Sequence, residues 1–565
     1  MKKKLLYAGV FCMLVTGFLS SSKAHAQSDP SGKKRITDTY AITNATVFTA
    51  PGEKGTKATV LIKNGVIQGV GSNITLPKEA KTIAGDSLFI YPAFIAGASD
   101  VGITKPKDPE RPEDFVSSNP PDEIAGITPW RSAVDQFSIK DGKIDELRKT
   151  GFAIVQITPD GGMLAGKTAI VLLGNEHSTN LLMENTALAA SFNGSRGMYP
   201  GTAVGVMAKF REVYDNAVLT SQRAQKYTTV TGLKRPEITP TYSAMQEVIT
   251  SQIPVLFSAS SELEIRRAIS LQKEKGFKLI LTNLVEYEGA LDVVKSSGVG
   301  VLVKLEIPDD KALKAQKEDA SDEAKLLYTR VKEAYDKALA QAGKLEEAGI
   351  PFAFTTVGVK SGDILKTLRK MIANGLSEKA ALAALTTNAA DILGINKVAG
   401  SIEKGKMANL ILSADSLFAE DAQIKHMIVD GYLYDYETKT KKKASKEDKG
   451  EGSVKIEGNW DYTSESPAGS SGGVLTIKKD GADFTGTITY DDPSGSGMAT
   501  ATIQNVALDG SNLSFSFDVS ANGMEITVDV SGEVSEGSYD ATMTVGEFGS
   551  FPFKGTLNPT LTANK

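Results

Sequence analysis

Ser87-Leu-Phe-Ile-Tyr-Pro-Ala-Phe-Ile-Ala-Gly-Ala-Ser-Asp-Val-Gly102 is the stretch on which the reading of this chain turns. Leu88 to Ile90 and Phe94 to Ile95 are apolar without alternation. A strand of that kind is covered on both faces, as in a parallel sheet. It runs into small residues, Ala96 to Ser99, and then into Asp100. A buried strand that opens into a small-residue turn is the start of a β/α unit.

Further units follow it. Phe152–Ile157, Pro254–Phe257, Lys278–Leu281, Val299–Val303 and Pro351–Phe354 are again apolar runs. Helical patterns lie between them. Glu262–Lys275 spaces Leu263, Ile265, Ala268, Ile269 and Leu271 on a helical period. Glu288–Ser296, Glu323–Ala348, Gly362–Asn374 and Ser377–Leu385 also read as helices, the last with Ser377 as N-cap. Repeated β/α units over about 300 residues predict a distorted eight-stranded barrel.

On the N-terminal side, Tyr40–Phe48 alternates, and Ala58–Val70 is two strands joined at Asn64-Gly65, a hairpin signal. This β-structure is too small to bury much by itself. Its partner is far along the chain: Gly400–Leu412 and Ile424–Tyr432 are strands with glycine turns. The two pieces are expected to form one composite β-sandwich domain beside the barrel.

The ends are different in kind. Lys2, Lys3 and Lys4 precede an apolar run from Leu5 to Leu19, and Ala24-His25-Ala26 is a small-x-small cleavage site. Residues 1–26 read as a secretory signal peptide, too short for a membrane span. An exported, soluble protein is expected, periplasmic or extracellular. Four lysines and no acids lie in that leader, so the net charge of −5 becomes −9 without it. Such a charge argues against a nucleic-acid partner. Cys12 is the sole cysteine. The exported chain would have no disulfide, thiolate metal site or cysteine nucleophile. Residues 27–37 are polar and expected to be disordered. A charged linker spans 437–452. Beyond it, residues 453–565 are rich in Gly, Ser, Thr and Val, with eight short β runs beginning near Val454, Val474, Phe484, Ala499, Leu513, Met524, Tyr539 and Phe551. Turns at Asp480-Gly481, Asp509-Gly510 and Asn522-Gly523 suggest an up-and-down barrel or sandwich, with Trp460 in its core. The expected domains are 38–91 plus 399–436 (composite β), 92–398 (barrel) and 453–565 (C-terminal β).

The residues 87–102, with Gly400-Ser-Ile-Glu-Lys-Gly-Lys-Met-Ala-Asn-Leu410 and Ile428-Val-Asp-Gly431, resemble the amidohydrolase superfamily. Gly161–Gly166, Gly197–Pro200, Ala208–Tyr214, Lys344–Ala353 and Gly375–Ala390 are similar to its imidazolonepropionase-like branch. The resemblance covers about residues 40–435 and implies a barrel whose strand ends hold a catalytic metal. In that pattern two histidines end the first strand; this chain has Ala98 and Asp100. At the fifth strand, Ser258 or Ser260 stands where a histidine is expected, at the sixth Asn283, and at the eighth Val357 replaces the aspartate that takes the proton. The barrel contains one histidine, His177, in a loop-like stretch, and His426 belongs to a composite-domain strand. The resemblance therefore implies a hydrolase of non-peptide C–N bonds, while the residues at the ligand positions imply neither metal nor hydrolysis.

Three functions follow as expectations. The first is a metal-free, hydrolytically inactive protein with a binding role, partnered by a second copy or by an active homologous amidohydrolase. The second is a hydrolase, of dipeptidase type for instance, with an oxygen-rich site drawn from Asp100, Asp160, Glu286 and Asp363; it alone would need a divalent metal such as Zn²⁺. The third is glycan or lipid binding through the C-terminal β domain.

Overall fold

A computed structural model of the chain describes residues 39–107, 109–175, 180–308, 310, 313, 322–420, 422–436, 456–466, 469–480, 483–492, 497–509, 511–521, 524–535, 537–545 and 549–558. The leader at 1–26, the polar stretch 27–37, the linker 437–452, His177 and the turn glycines 481, 510 and 523 lie outside these residues. The chain divides into two compact units between Thr440 and Lys441.

The first unit opens with β1 (Thr39–Val47), β2 (Thr56–Lys63), β3 (Val66–Gly71), β4 (Lys81–Ala84) and β5 (Phe89–Pro92). It continues with β6 (Phe94–Ser99), β7 (Phe152–Ile157), β8 (Leu164–Lys167), β9 (Ala169–Leu172), β10 (Leu181–Met183) and β11 (Leu188–Ser191). After these come β12 (Val255–Ser258), β13 (Leu279–Leu284), β14 (Gly300–Lys304) and β15 (Ala353–Thr355). It ends with β16 (Leu410–Ser413), β17 (Ile424–Val429) and β18 (Tyr432–Asp435).

The two distant β pieces do join. They form one sheet in the order β18-β17-β16-β5-β1-β2-β3, with β4 beside β1. The β2–β3 hairpin turns at Asn64 and Gly65, with φ of 51° and 73°. That is the left-handed pair a two-residue hairpin requires. The sheet bends over its own core of Ile42, Val60, Ile62, Ile90, Leu410, Leu412 and Ile428, all buried.

The β/α units form a second, curled sheet. Seven strands run parallel in the order β7-β6-β15-β14-β13-β12-β11. The distortion lies between β7 and β11. There β9 runs antiparallel to β7, and β8 antiparallel to β11. Residues 164–172 are thus one run of chain that changes partner at Thr168. The flanking helices match the periodicity. Glu262–Lys275 buries Ile265, Ala268, Ile269 and Leu271. Leu263, counted above on the same stripe, is 56% exposed instead. It sits two residues before Ile265, on the opposite side of a 3.6-residue turn. Ser377 caps Glu378–Leu385 by accepting from Ala380 N at 3.0 Å. Among the described residues, no helix is long and apolar enough to cross a membrane.

A buried arginine ties the curled sheet to the composite one. Arg148, on the helix Gly142–Lys149, donates through Nε to Leu173 O (2.7 Å) and through Nη1 to Asp145 Oδ1 (2.6 Å). Its guanidinium lies 4.0 Å from the centroid of the Tyr434 ring on β18. Nearly full burial of a guanidinium is tolerable because both polar edges are bonded and its face meets an aromatic ring.

The second unit is all antiparallel. Its strands are β19 (Gly458–Ser466), β20 (Gly469–Asp480), β21 (Asp483–Asp491), β22 (Met498–Thr502), β23 (Gln504–Asp509), β24 (Asn512–Ala521), β25 (Met524–Ser535), β26 (Ser538–Val545) and β27 (Gly549–Asn558). Neighbouring order is β22-β21-β20-β19-β27-β26-β25-β24-β23, nine strands rather than the eight runs counted above. The eight-run reading takes 499 onward as one strand. The ladder divides it at Ile503: its first part pairs with β21 and its second with β24. The sheet is thereby nearly closed on itself. Its interior is filled by Trp460, Leu475, Phe515, Val530, Tyr539 and Phe553. Trp460 is a core residue, 1% exposed, with Nε1 donating to Ile456 O at 2.9 Å.

Candidate functional site

In a sheet of parallel strands, residues in register share a face, and successive residues alternate. Phe257 on β12 packs against Phe210 of the helix Ala203–Thr229, ring centroids 6.2 Å apart, so its face looks outward. Ser258 therefore faces inward. Ser258 is in register with Ser191 on β11 and with Thr282 on β13. On the other side of the irregularity between β13 and β14, Lys304 is in register with Thr355, and Thr355 with Ala98. The mouth of the curled sheet is thus ringed by Ser191, Ser258, Thr282, Lys304, Thr355 and Ala98, each at or near the C-terminal end of its strand. In the barrel architecture this end is where ligands bind.

Asn283 adds to the ring because its φ is +60°. The left-handed conformation, which asparagine tolerates, breaks the strict alternation after Thr282. It allows the amide to bridge two neighbours. Nδ2 donates to Ser258 Oγ at 3.1 Å, and Oδ1 accepts from Thr355 Oγ1 at 3.3 Å. The Thr355 hydroxyl, fully buried, also lies 3.1 Å from Ala98 O and accepts from Val357 N at 3.3 Å. Ala98, Ser258, Asn283 and Val357 are thereby brought together around Thr355, which the sequence reading passes over.

The candidate carboxylates do not gather. Asp100 is exposed and accepts from Gly358 N at 3.1 Å. Asp160 is exposed, 3.5 Å from Lys105. Glu286 is exposed, its backbone N bonded to Ser260 O at 2.9 Å. Ser260 turns away from the ring, its N and Oγ both donating to Glu264. Asp363 stands at the start of the helix Ile364–Ala373 without a side-chain capping bond. No hydrogen bond joins Asp100, Asp160, Glu286 and Asp363 to one another among the described residues. Nor, among those residues, do three His, Cys, Asp or Glu side chains gather closely enough to share an ion. His426 pairs across the ladder with Asp435, 2.7 Å from Nδ1 to Oδ1, in the composite sheet.

Would a divalent metal fit? Zn²⁺ takes imidazole, thiolate or carboxylate donors, and Mg²⁺ or Mn²⁺ wants carboxylates. The ring offers hydroxyls, one amide and the Lys304 ammonium, none of them an anionic or imidazole donor, with the Ser258, Asn283 and Thr355 groups already bonded to one another. The donor set does not fit such an ion.

Lys304 is the residue that strand reading misses, since the apolar run ends at Val303. A charged residue closing an apolar parallel strand at its C-terminal end was the available signal. Its Nζ pairs with Glu306, the lysine side chain 23% exposed and the glutamate 51%. A Cβ placed on Gly358 would lie 3.9 Å from Nζ.

Comparisons bear on the fold. Residues 166–433 match the model of the amidohydrolase family. Curated protein sequences give no match. Among solved structures, an amidohydrolase from Thermotoga maritima MSB8 is similar at 21% identity and a TM-score of 0.57, over 70% of this chain and 100% of that one. A prolidase complexed with N-methylphosphonate-L-proline is similar at 15% identity and a TM-score of 0.44, over 71% of this chain and 100% of that one. A Xaa-Pro dipeptidase with bound methionine in the active site is similar at 17% identity and a TM-score of 0.43, over 71% and 100%.

Proposed function

We propose that this chain, a member of the amidohydrolase superfamily by its residues 166–433 and its curled β/α sheet, is a metal-free binding protein that does not hydrolyse C–N bonds. One observation carries the reading. Around Thr355, the positions that would grip an ion hold Ala98, Ser258, Asn283 and Val357, knitted into a neutral hydrogen-bonded belt. Water activation of the usual kind needs a metal to lower its pKa and a carboxylate to take the proton. The belt supplies neither, and fold alone does not supply function. Residues 1–26 support export to the periplasm or beyond, and a second copy or an active homologue remains the proposed partner. The packed interior of β19–β27 argues against a lipid held inside that barrel.

Metal analysis of the purified full-length protein tests the reading. Zn²⁺, Mn²⁺ and Fe²⁺ are expected far below one equivalent per chain. One stoichiometric ion, with cleavage of dipeptides or cyclic amides that Asp100→Ala abolishes, would overturn it.

A further inference from the structure

We infer that the mouth of the curled sheet is a binding site for a compact oxyanion, a carboxylate or a phosphate, held by the Lys304 ammonium and the Thr282 hydroxyl. The inference rests on the metal-free reading, because an ion in the mouth would supply the positive charge instead.

Three observations carry it. The ring contains one ionisable side chain, Lys304, among hydroxyls, the Asn283 amide and an alanine. Thr282 Oγ1 is buried and has no hydrogen-bond partner, although a buried hydroxyl is ordinarily satisfied. It faces inward beside Ser258, whose own oxygen accepts from Asn283 and whose proton remains to be given. An unpartnered hydroxyl, a second free hydroxyl proton and an ammonium make a donor set with no acceptor of matching charge inside the ring. An oxyanion is the complement, since hydrogen bonds to a charged acceptor are the strong ones.

Glu306 fits this scheme as a stand-in. Two residues beyond Lys304, it puts a half-exposed carboxylate on the ammonium. A partly exposed ion pair is held weakly, so a ligand carboxylate can displace it. Asp100 accepts from the Gly358 N–H and is an exposed charge that the ligand must also outweigh.

The test is calorimetric titration of the full-length protein with acetate and, separately, inorganic phosphate, at constant ionic strength set with chloride. Saturable one-site binding of at least one is expected, and the arm that saturates names the source. Lys304→Met should abolish it. Glu306→Gln should tighten it roughly two- to fivefold, the value of an exposed pair. Thr282→Val should weaken it roughly ten- to hundredfold, about one hydrogen bond to a charged group. Circular dichroism checks that each variant folds. Should Lys304→Met misfold, the gain in Glu306→Gln decides. Unchanged binding in a folded Lys304→Met, or no binding of either anion by both wild type and Glu306→Gln, overturns the inference. Metal is measured on the same sample. A metal-free protein without oxyanion binding loses this inference and keeps the proposed function. A stoichiometric ion removes the proposed function, and titration after chelation then judges the oxyanion site by itself.

Discussion

The curled sheet of the first unit and the near-barrel of the second are drawn round by the same device, executed with opposite chemistry. In each, a single run of chain pairs with one neighbour for half its length and with another for the rest. The run 164–172 turns from β11 to β7 at Thr168. The run 498–509 turns from β21 to β24 at Ile503. At the first junction a polar trio meets: Gln156 Nε2 donates to Thr168 Oγ1 (3.0 Å) and to Thr186 Oγ1 (2.9 Å), and the two hydroxyls stand 2.9 Å apart. At the second, Ile503 is 4% exposed in the barrel core, its backbone N bonded to Gly486 O at 3.0 Å. A directional junction fixes where the change of partner falls, yet it must satisfy what it buries. Gln156 Oε1 is left buried without a partner. The apolar junction is stabilised by burial alone, which has no preferred direction.

Each junction can be broken in its own way. Ile503→Ala should cost the second unit about 2–5 kcal/mol, the range for truncating a buried isoleucine. Amide exchange along β22 and β23 would report it, and unchanged protection there would mean that burial is not what closes the seam. Thr168→Val should cost the first unit about 1–3 kcal/mol, because it removes an acceptor beneath a buried amide. Denaturant midpoints measure this, with an unchanged slope. Replacing the trio together, Gln156→Leu with Thr168→Val and Thr186→Val, should cost less than Thr168→Val alone. Removing all partners strands none of them. A cost equal to the sum of the three single variants would show that the trio does not act as a unit.

The smallest effect appears only in alkali. Burial raises the Tyr462 and Tyr539 phenols above their ordinary 10.0, and both donate inside the barrel, to Thr489 O (2.8 Å) and Leu513 O (2.9 Å). A folded pKa above the unfolded one means that the unfolded state releases its proton first. Stability is then complete below pH 10 and declines as pH rises beyond it. Thermal scans from pH 9 to 11 should show this decline, roughly as linkage requires, and Tyr462→Phe with Tyr539→Phe should flatten it.

What could be read beforehand divides along the same line. Asn64-Gly65 and Glu262–Lys275 carry their structure in local pattern, and both fold as their residues dictate. Partner changes have no such mark. Residues 164–172 and 498–509 look like ordinary strand, because alternation and β propensity are indifferent to which neighbour a residue bonds. Of the mouth, the substituted positions Ala98, Ser258, Asn283 and Val357 could be located along the chain, since strand ends are legible. Thr355 as their hub was not, for it depends on register between β15 and β6. Nor was the left-handed turn of Asn283, which puts two consecutive side chains on one face.

β5 and β16 are joined residue by residue from Phe89–Ser413 to Pro92–Leu410. More than three hundred residues of β/α structure are threaded between those two edges. Nascent chain emerging in order must carry β1 to β5 with one flank open until almost all of the first unit has been made. Closure of that sheet is a late and entropically distant event, slower than the local hairpins that precede it. In the interval the bare edge of β5 is a place where another chain could add itself, so the yield of folded protein should fall with concentration during refolding sooner than its final stability would suggest.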